Sequence, residues 1–265
     1  MKKYKPVLVR QKELLNDIYK TVSNPNKTNK ENMQAALNAF TDLLKEYQTD
    51  GNPDKKVAQL TSVSVKGLID EMNGTVTHYF IKDESLINFL KETEIRDTSI
   101  VRDYIDENCL KLDSYASYYS IALHTENEGL FFTYLKHDDR VIVVAFSKES
   151  AVDFDLRCKL TNPISRLSVN LVYYLKAYPE KVLSGVPDDM VKNDKKKMQN
   201  IKTCTIGIAD EIVEKTEVVN GHIVSPHFRS GFFRHYTDDR YVNMKGKVQF
   251  IAATMVKGKA KTVVA

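Results

Sequence analysis

Apolar residues recur at helical spacing through the first fifty residues of the chain, with charged residues between them. Between residues 4 and 22 the apolar side chains recur at intervals of three, four and seven residues, and residues 23–26 interrupt this pattern. Thr28 and Glu31 then have the spacing of a capping box, which marks the start of a second helix. The pattern predicts an N-terminal helical hairpin over residues 1–50. Its apolar face needs a partner, either the rest of the fold or another chain.

Residues 115–146 carry the clearest strand pattern. Three runs rich in aromatic and β-branched side chains are separated by short polar turns at residues 126–129 and 137–139. Such runs predict an antiparallel meander. The third run is continuously apolar, which is typical of a central strand buried on both faces.

Helices are predicted before and after this meander, and further strands follow. A helix with an apolar stripe begins at Pro163, and strands are predicted at residues 203–208 and 248–255. An order of helices, meander, helix and strands predicts an α+β fold. We expect a mostly antiparallel sheet, built from the meander at 115–146 and the C-terminal strands, in a core domain that spans residues 51–265.

Composition places the chain among folded globular proteins. Hydrophobic residues make up 42% and charged residues 28%, with ten glycines and seven prolines. These values exclude a disordered, collagen-like or loop-dominated chain. No apolar stretch is long enough to cross a membrane, and the basic start is followed by a charged amphipathic segment. We therefore expect no membrane span, no secretory signal and a cytoplasmic location.

The positive charge is concentrated at the end of the chain. The net charge is +4, but residues 221–265 hold eight basic and two acidic side chains, a balance of +6. The other 220 residues therefore carry −2. A basic segment of this kind favours nucleic acid or another acidic partner.

The familiar motifs of cofactor and metal chemistry are absent from the sequence. There is no phosphate-binding loop, dinucleotide glycine fingerprint, nucleophile elbow or metal-binding His-Glu-x-x-His helix. The three cysteines are too far apart for a disulfide framework or a zinc cluster. We therefore expect no cofactor and no metal. Three histidines stand isolated in strand or turn contexts and are interpreted as structural: His78, His124 and His137.

One segment, residues 225–236, concentrates side chains suited to nucleic acid. It holds two histidines, two arginines and three phenylalanines. Arginine binds phosphate through two hydrogen bonds and stacks on bases, and aromatic rings stack on unpaired bases. We predict a nucleic-acid-binding set at this end of the chain: Arg229, Phe233, Arg234, Tyr236, Arg240, Lys245 and Lys247.

Two histidines of the segment are candidates for proton transfer. Imidazole groups titrate near neutral pH, as metal-independent cleavage of RNA requires, with the 2′-OH as nucleophile. His227 and His235 are the predicted catalytic pair if the protein is an enzyme, which the sequence leaves open. In a structural alternative, His227 and Arg229 bind carbonyl groups. The core would then contain three further side chains: Phe228, Phe232 and Phe233.

The same segment carries a family resemblance. Its pattern is Ser225-Pro226-His227-x-Arg229-x-Gly231-x-x-Arg234-His235-Tyr236, followed by a basic spacer, an apolar strand and Val256-x-Gly258. Stretches at 110–131 and 167–175 are similar in the same order. From about residue 105 to residue 258 the chain resembles uncharacterised proteins of bacteriophages, plasmids and conjugative elements. That group is related to the type V-A anti-CRISPR protein that suppresses production of the effector nuclease.

The resemblance implies a mobile-element protein that acts against host defence. We predict that it binds RNA, or a ribosome with its nascent chain, and lowers the expression of a host protein. Where the family often has Arg-Arg-Gly-His, this chain has Arg229-Ser230-Gly231-Phe232, so one cation and one imidazole are missing. An alternative is a non-enzymatic protein-binding module, or inhibitor, that docks through the N-terminal amphipathic helices. A metal-dependent nuclease is disfavoured because no carboxylate cluster has ligand-like spacing.

Overall fold

A computed structural model describes residues 17–29, 31–32, 34–36, 38–39, 42, 63, 67, 70–71, 74–108, 110–111, 116–147, 151–199, 201–210, 228–229, 231–252 and 254–255. From residue 74 onwards its helices are α1 (Glu84–Glu92), α2 (Ser99–Asn108), α3 (Pro163–Ala177) and α4 (Lys192–Lys197). The strands are β1 (Thr77–Ile81), β2 (Leu110–Lys111), β3 (Ala116–His124), β4 (Gly129–His137), β5 (Arg140–Phe146), β6 (Ala151–Asp155), β7 (Val182–Ser184), β8 (Thr203–Ile206), β9 (Phe228–Arg229), β10 (Phe232–His235), β11 (Val248–Ile251) and β12 (Thr254–Met255).

The main sheet is mixed. Seven of its strands lie side by side in the order β6-β5-β4-β3-β1-β8-β7, and the short β2 pairs with β3 off this path. Strands β3 to β6 form an antiparallel meander. Strand β1 runs parallel to both of its neighbours, β3 and β8. All five residues of β1 are buried, as is usual for a strand with parallel partners.

The predicted fold class is therefore wrong in how the sheet is assembled, although the α+β character is correct. The interior of the sheet contains two parallel pairs, and the strand predicted at 248–255 does not join it. Hydrophobic patterning identifies a strand but does not encode its direction or its partner. The pairing of β1 with β8 joins segments that are far apart in the sequence, so no local pattern reveals it.

The C-terminal strands pair with one another instead. Strand β10 pairs antiparallel with β11, and β9 pairs antiparallel with β12. The connection from β10 to β11 covers residues 236–247 and ends in a turn at Gly246, whose φ of 77° suits glycine. We call the β10–β11 pair the ribbon.

The predicted hairpin at residues 1–50 lies largely outside the described residues. Residues 17–22 are helical. The Thr28 backbone N–H donates to the Glu31 carboxylate at 2.8 Å, and the Glu31 N–H donates to the Thr28 hydroxyl at 3.3 Å, which is the predicted capping box. Ile18, Tyr19 and Val22 pack against a buried cluster on one face of the sheet. The described part of this apolar helix face therefore contacts the rest of the fold.

Helices α1, α2 and α3 pack on the opposite face of the sheet. Helix α3 begins at Pro163 as predicted, with the Asn162 side chain capping it. The Asn170 amide of α3 donates to the carbonyl oxygens of Leu90 and Thr93, at 2.8 and 2.9 Å. These bonds fix the end of α1 and the loop after it. None of the described helices is long and apolar enough to cross a membrane.

Candidate nucleic-acid interface

The ribbon divides the predicted site between two faces, because successive side chains of a strand point in opposite directions. Phe233 and His235 face the helices, and Phe232 and Arg234 face away from them. Gly231 precedes the strand where a side chain would collide with the core, since a Cβ there would lie 2.6 Å from the Phe250 ring. Because the side chains of β10 alternate between two faces, the interpretation of residues 225–236 as one continuous patch is wrong for this strand.

Phe233 belongs to the hydrophobic core. Only 2% of the residue is exposed. Its ring stacks on Tyr173 of α3 at 5.5 Å between ring centres, and it meets Phe250 of β11 edge-on at 5.2 Å. Both contacts occupy the ring, so it offers no face to a base. The prediction that Phe233 stacks on a bound base is wrong, and the structural alternative is correct for this residue.

His235 fastens the ribbon to α2. Its side chain is 5% exposed, with Nε2 3.8 Å from the Asp103 carboxylate. Its Nδ1 lies 3.2 Å from the Ser99 hydroxyl oxygen. Because that hydroxyl donates to Asp97 at 2.6 Å, its oxygen accepts a hydrogen bond from His235. This enclosed position does not suit a catalytic proton carrier. The other predicted carrier, His227, lies outside the described residues.

The outer face of the ribbon carries alternating arginine and aromatic side chains. The Arg96 guanidinium carbon lies 3.7 Å from the centre of the Phe232 ring. Arg234 lies between the rings of Phe232 and Tyr236, at 5.7 and 5.8 Å from their centres. These distances are within the range of cation–π attraction. Arg234 and Tyr236 were both predicted, and the structure brings them together. Arg234 is exposed, whereas only 8% of Tyr236 is exposed, so this ring supports the guanidinium and leaves little surface for a base.

The same arrangement continues into the turn after β10. The Tyr236 ring meets Tyr241 edge-on at 5.0 Å, and the Arg240 guanidinium covers the Tyr241 ring at 4.9 Å. The Tyr236 hydroxyl donates to Gln249 of β11 at 3.2 Å, which fixes its ring on the ribbon. We call this continuous surface the arginine–aromatic ladder. Its members are Arg96, Phe232, Arg234, Tyr236, Tyr241 and Arg240.

The cations of this region differ in whether acidic groups neutralise them. Arg96 pairs with Glu94 at 2.9 Å, and Arg240 pairs with Asp238 at 3.2 Å. Lys245 pairs with Asp239. In the part of the chain that the structure describes, Arg234 and Lys247 have no carboxylate partner, and both are exposed. Two predicted cations therefore carry uncompensated positive charge at the surface.

Arg229 occupies a different strand pair. Its backbone lies in β9, opposite Thr254 of β12. The structure does not describe its side chain, so its predicted phosphate contact stays a prediction.

Sequence reasoning missed Arg96 entirely. This residue lies in the loop between α1 and α2, and no motif surrounds it. It reaches the ribbon because the neighbouring Glu94 forms a backbone bridge with Phe232. Only tertiary structure creates this contact, so no local signal in the sequence indicates it.

Two histidines form a buried pair inside the main sheet. His78 of β1 and His124 of β3 are buried, and His78 Nδ1 lies 2.9 Å from His124 Nε2. The interpretation of these two histidines as isolated is therefore wrong, whereas a structural role fits their burial. Burial lowers the pKa of His78 to about 4 and also lowers the pKa of His124. Both rings are thus neutral at pH 7, one donating a hydrogen bond to the other.

Among the described residues, no group of three or more His, Cys, Asp or Glu side chains could hold a metal ion. The functional proposal rests on the arginine–aromatic ladder, in which the exposed Arg234 lies between two aromatic rings. The resemblance to mobile-element proteins stays a prediction. No family model, curated protein or solved structure matches the chain.

Proposed function

We propose that this protein binds RNA through the arginine–aromatic ladder. The observation that carries the proposal is the position of Arg234, which is exposed, lacks an acidic partner among the described residues and lies between two aromatic rings. Guanidinium groups bind phosphate through paired hydrogen bonds and stack on bases. A row of guanidinium groups supported by rings provides both interactions on one surface.

The charge of the surrounding chain supports the same ligand. Residues 221–265 have a balance of +6, and Lys247 adds an exposed cation beside the ladder. RNA binding releases the counterions that condense on phosphates, so positive charge raises affinity and makes it depend on salt. The ladder adds contacts that a merely basic tail does not have.

The biological consequence follows from the family resemblance. In this proposal the protein comes from a mobile genetic element, acts in the cytoplasm of a bacterial host and binds an mRNA or a ribosome with its nascent chain. Its binding lowers the expression of a host protein that takes part in defence.

The proposed activity is binding without cleavage. His235 is enclosed between Ser99 and Asp103, so it does not reach a phosphate on the ladder. Docking of a protein partner on the N-terminal helices receives less support, because Ile18, Tyr19 and Val22 already pack against the sheet. The ladder therefore carries the proposal.

A binding measurement with matched arginine variants tests this proposal. Fluorescence anisotropy would follow a labelled RNA of random sequence, with the wild-type chain, Arg234→Ala and Arg157→Ala. Arg157 is the control because it is also exposed but pairs with Asp155 in the turn after β6. We expect roughly tenfold weaker binding for Arg234→Ala and no change for Arg157→Ala.

Thermal unfolding of the three proteins would check that their folds are equally stable. Equal RNA affinity of wild-type protein and Arg234→Ala would refute the proposed function. A translating bacterial extract would extend the test, since Arg234→Ala should then leave the target mRNA at its normal level.

A further inference from the structure

We propose that the arginine–aromatic ladder selects unpaired nucleotides, with a base stacking on a guanidinium that already lies on a ring. This inference rests on the proposed RNA binding and specifies the ligand of the same surface. The geometry of Arg96 is the starting point. Its guanidinium carbon is in van der Waals contact with the Phe232 ring, at 3.7 Å from the ring centre.

Arg96 is held on one face and on one edge. The Phe232 ring covers one face of the guanidinium, and the Glu94 carboxylate binds its edge at 2.9 Å. The Arg96 side chain remains 31% exposed, whereas Phe232 is only 5% exposed. A flat group thus lies fixed at the surface above a buried ring. A fixed planar cation of this kind needs little reorganisation to stack on a base.

Arg240 repeats this arrangement at the other end of the ladder. It covers the Tyr241 ring and pairs with Asp238. Arg96 and Arg240 are therefore both neutralised by a carboxylate and both placed on a ring. Arg234, between them, has no carboxylate partner in the described part of the chain. We infer that the two outer arginines stack on bases and that Arg234 binds phosphate.

The two stacking positions of the ladder are separate from each other. Arg96 lies on the Phe232 ring and Arg240 lies on the Tyr241 ring, at the two ends of the ladder. Two bases that stack on these guanidinium groups therefore cannot also stack on each other. In a duplex each base is covered by its neighbours, so only unpaired bases present a free face.

Paired and unpaired forms of one RNA test this inference. The labelled probe is a twelve-nucleotide RNA without internal structure, used alone or annealed to its complement. We expect the wild-type protein to bind the single strand at least tenfold more tightly than the duplex. Inorganic polyphosphate, at equal phosphate concentration, should compete poorly with the single strand because it has no bases.

Arg96→Lys separates stacking from charge. Lysine keeps the positive charge but lacks the planar group. We expect this variant to bind the single strand about tenfold more weakly, with duplex binding unchanged. Arg157→Lys is the matched control and should bind both RNAs as the wild-type protein does.

The outcomes distinguish this inference from the proposed function. Equal affinity for single strand and duplex, or equal competition by polyphosphate, would overturn the selection of unpaired nucleotides while RNA binding stands. Tighter binding of the duplex would also overturn it. If the protein binds neither RNA, both the inference and the proposed function fail.

Discussion

The two faces of the ribbon have opposite chemistry although their residues alternate within one short strand. On the inner face, Phe233 packs on Tyr173 and His235 hydrogen-bonds to Ser99. On the outer face, Arg234 is exposed between two rings. Neighbours in the sequence therefore have different surroundings: the fold encloses Phe233 and His235, whereas Arg234 is exposed.

The largest expected effect is the loss of stability caused by a substitution on the inner face. Phe233→Ala should lower the free energy of unfolding by about 3–5 kcal/mol, because it leaves a cavity among the aromatic rings of the core. Urea denaturation would measure this loss. Arg234→Ala is the control on the outer face and should change stability by less than about 0.5 kcal/mol. Equal costs for the two substitutions would show that both residues belong to one face.

Acid should weaken the core through the buried histidine pair. Burial lowers the pKa of His78 from 6.5 to about 4 and shifts His124 in the same direction. The unfolded chain then takes up protons below pH 6.5 and the native chain does not. Stability is thus full above pH 6.5 and is lost as the pH falls towards 4, by on the order of 2 kcal/mol at pH 5 from His78 alone, with a further loss from His124.

Urea denaturation at pH 7.5, 6 and 5 would measure this dependence, in a range where most carboxylates stay ionised. Stability that is constant or rises between pH 7.5 and pH 5 would contradict the buried, neutral pair.

The salt dependence of RNA affinity should differ between variants of the ladder arginines. Arg234→Ala should remove one phosphate contact and lower the slope of log affinity against log salt by about one. Arg240→Ala should change this slope less, because Asp238 already neutralises that guanidinium. RNA affinity measured at several salt concentrations would compare the two variants. The inference that Arg234 binds phosphate fails if Arg240→Ala has the larger effect on the slope.

The smallest expected effect concerns His235. His235→Ala removes the hydrogen bond to Ser99 and should cost about 1 kcal/mol of stability. His235→Asn places an amide donor near the position of Nδ1 and should recover part of this loss. RNA incubated with wild-type protein and with His235→Asn should degrade at the same rate. An RNA-cleaving activity that disappears in a stable His235→Asn variant would restore the catalytic hypothesis.

Local sequence patterns were sufficient to predict the helices and strands whose partners are neighbours in the sequence. Alternating apolar runs predicted the meander of β3, β4 and β5, and Pro163 marked the start of α3. The parallel pairing of β1 was not predictable, since β3 and β8 flank it only in three dimensions. The hydrogen bond between His78 and His124 is a consequence of that pairing.

The candidate site was predictable in composition but not in geometry. The segment around Arg234 and Tyr236 stands out because it combines cations and aromatic rings. Strand alternation turns Phe233 and His235 inward, and the sequence alone does not show where β10 begins. Arg96 joins the site through a backbone contact with the ribbon, so only the fold reveals it.

Ultraviolet cross-linking of a bound RNA, followed by mass spectrometry of the peptides, tests most directly whether the outer face of the ribbon is the RNA-binding surface. We predict cross-links in the peptides that contain Arg96 and residues 232–241. The Lys-rich helix α4, between β7 and β8, offers a competing basic surface. Cross-links concentrated on α4, with none on the ladder, would contradict binding through the outer face.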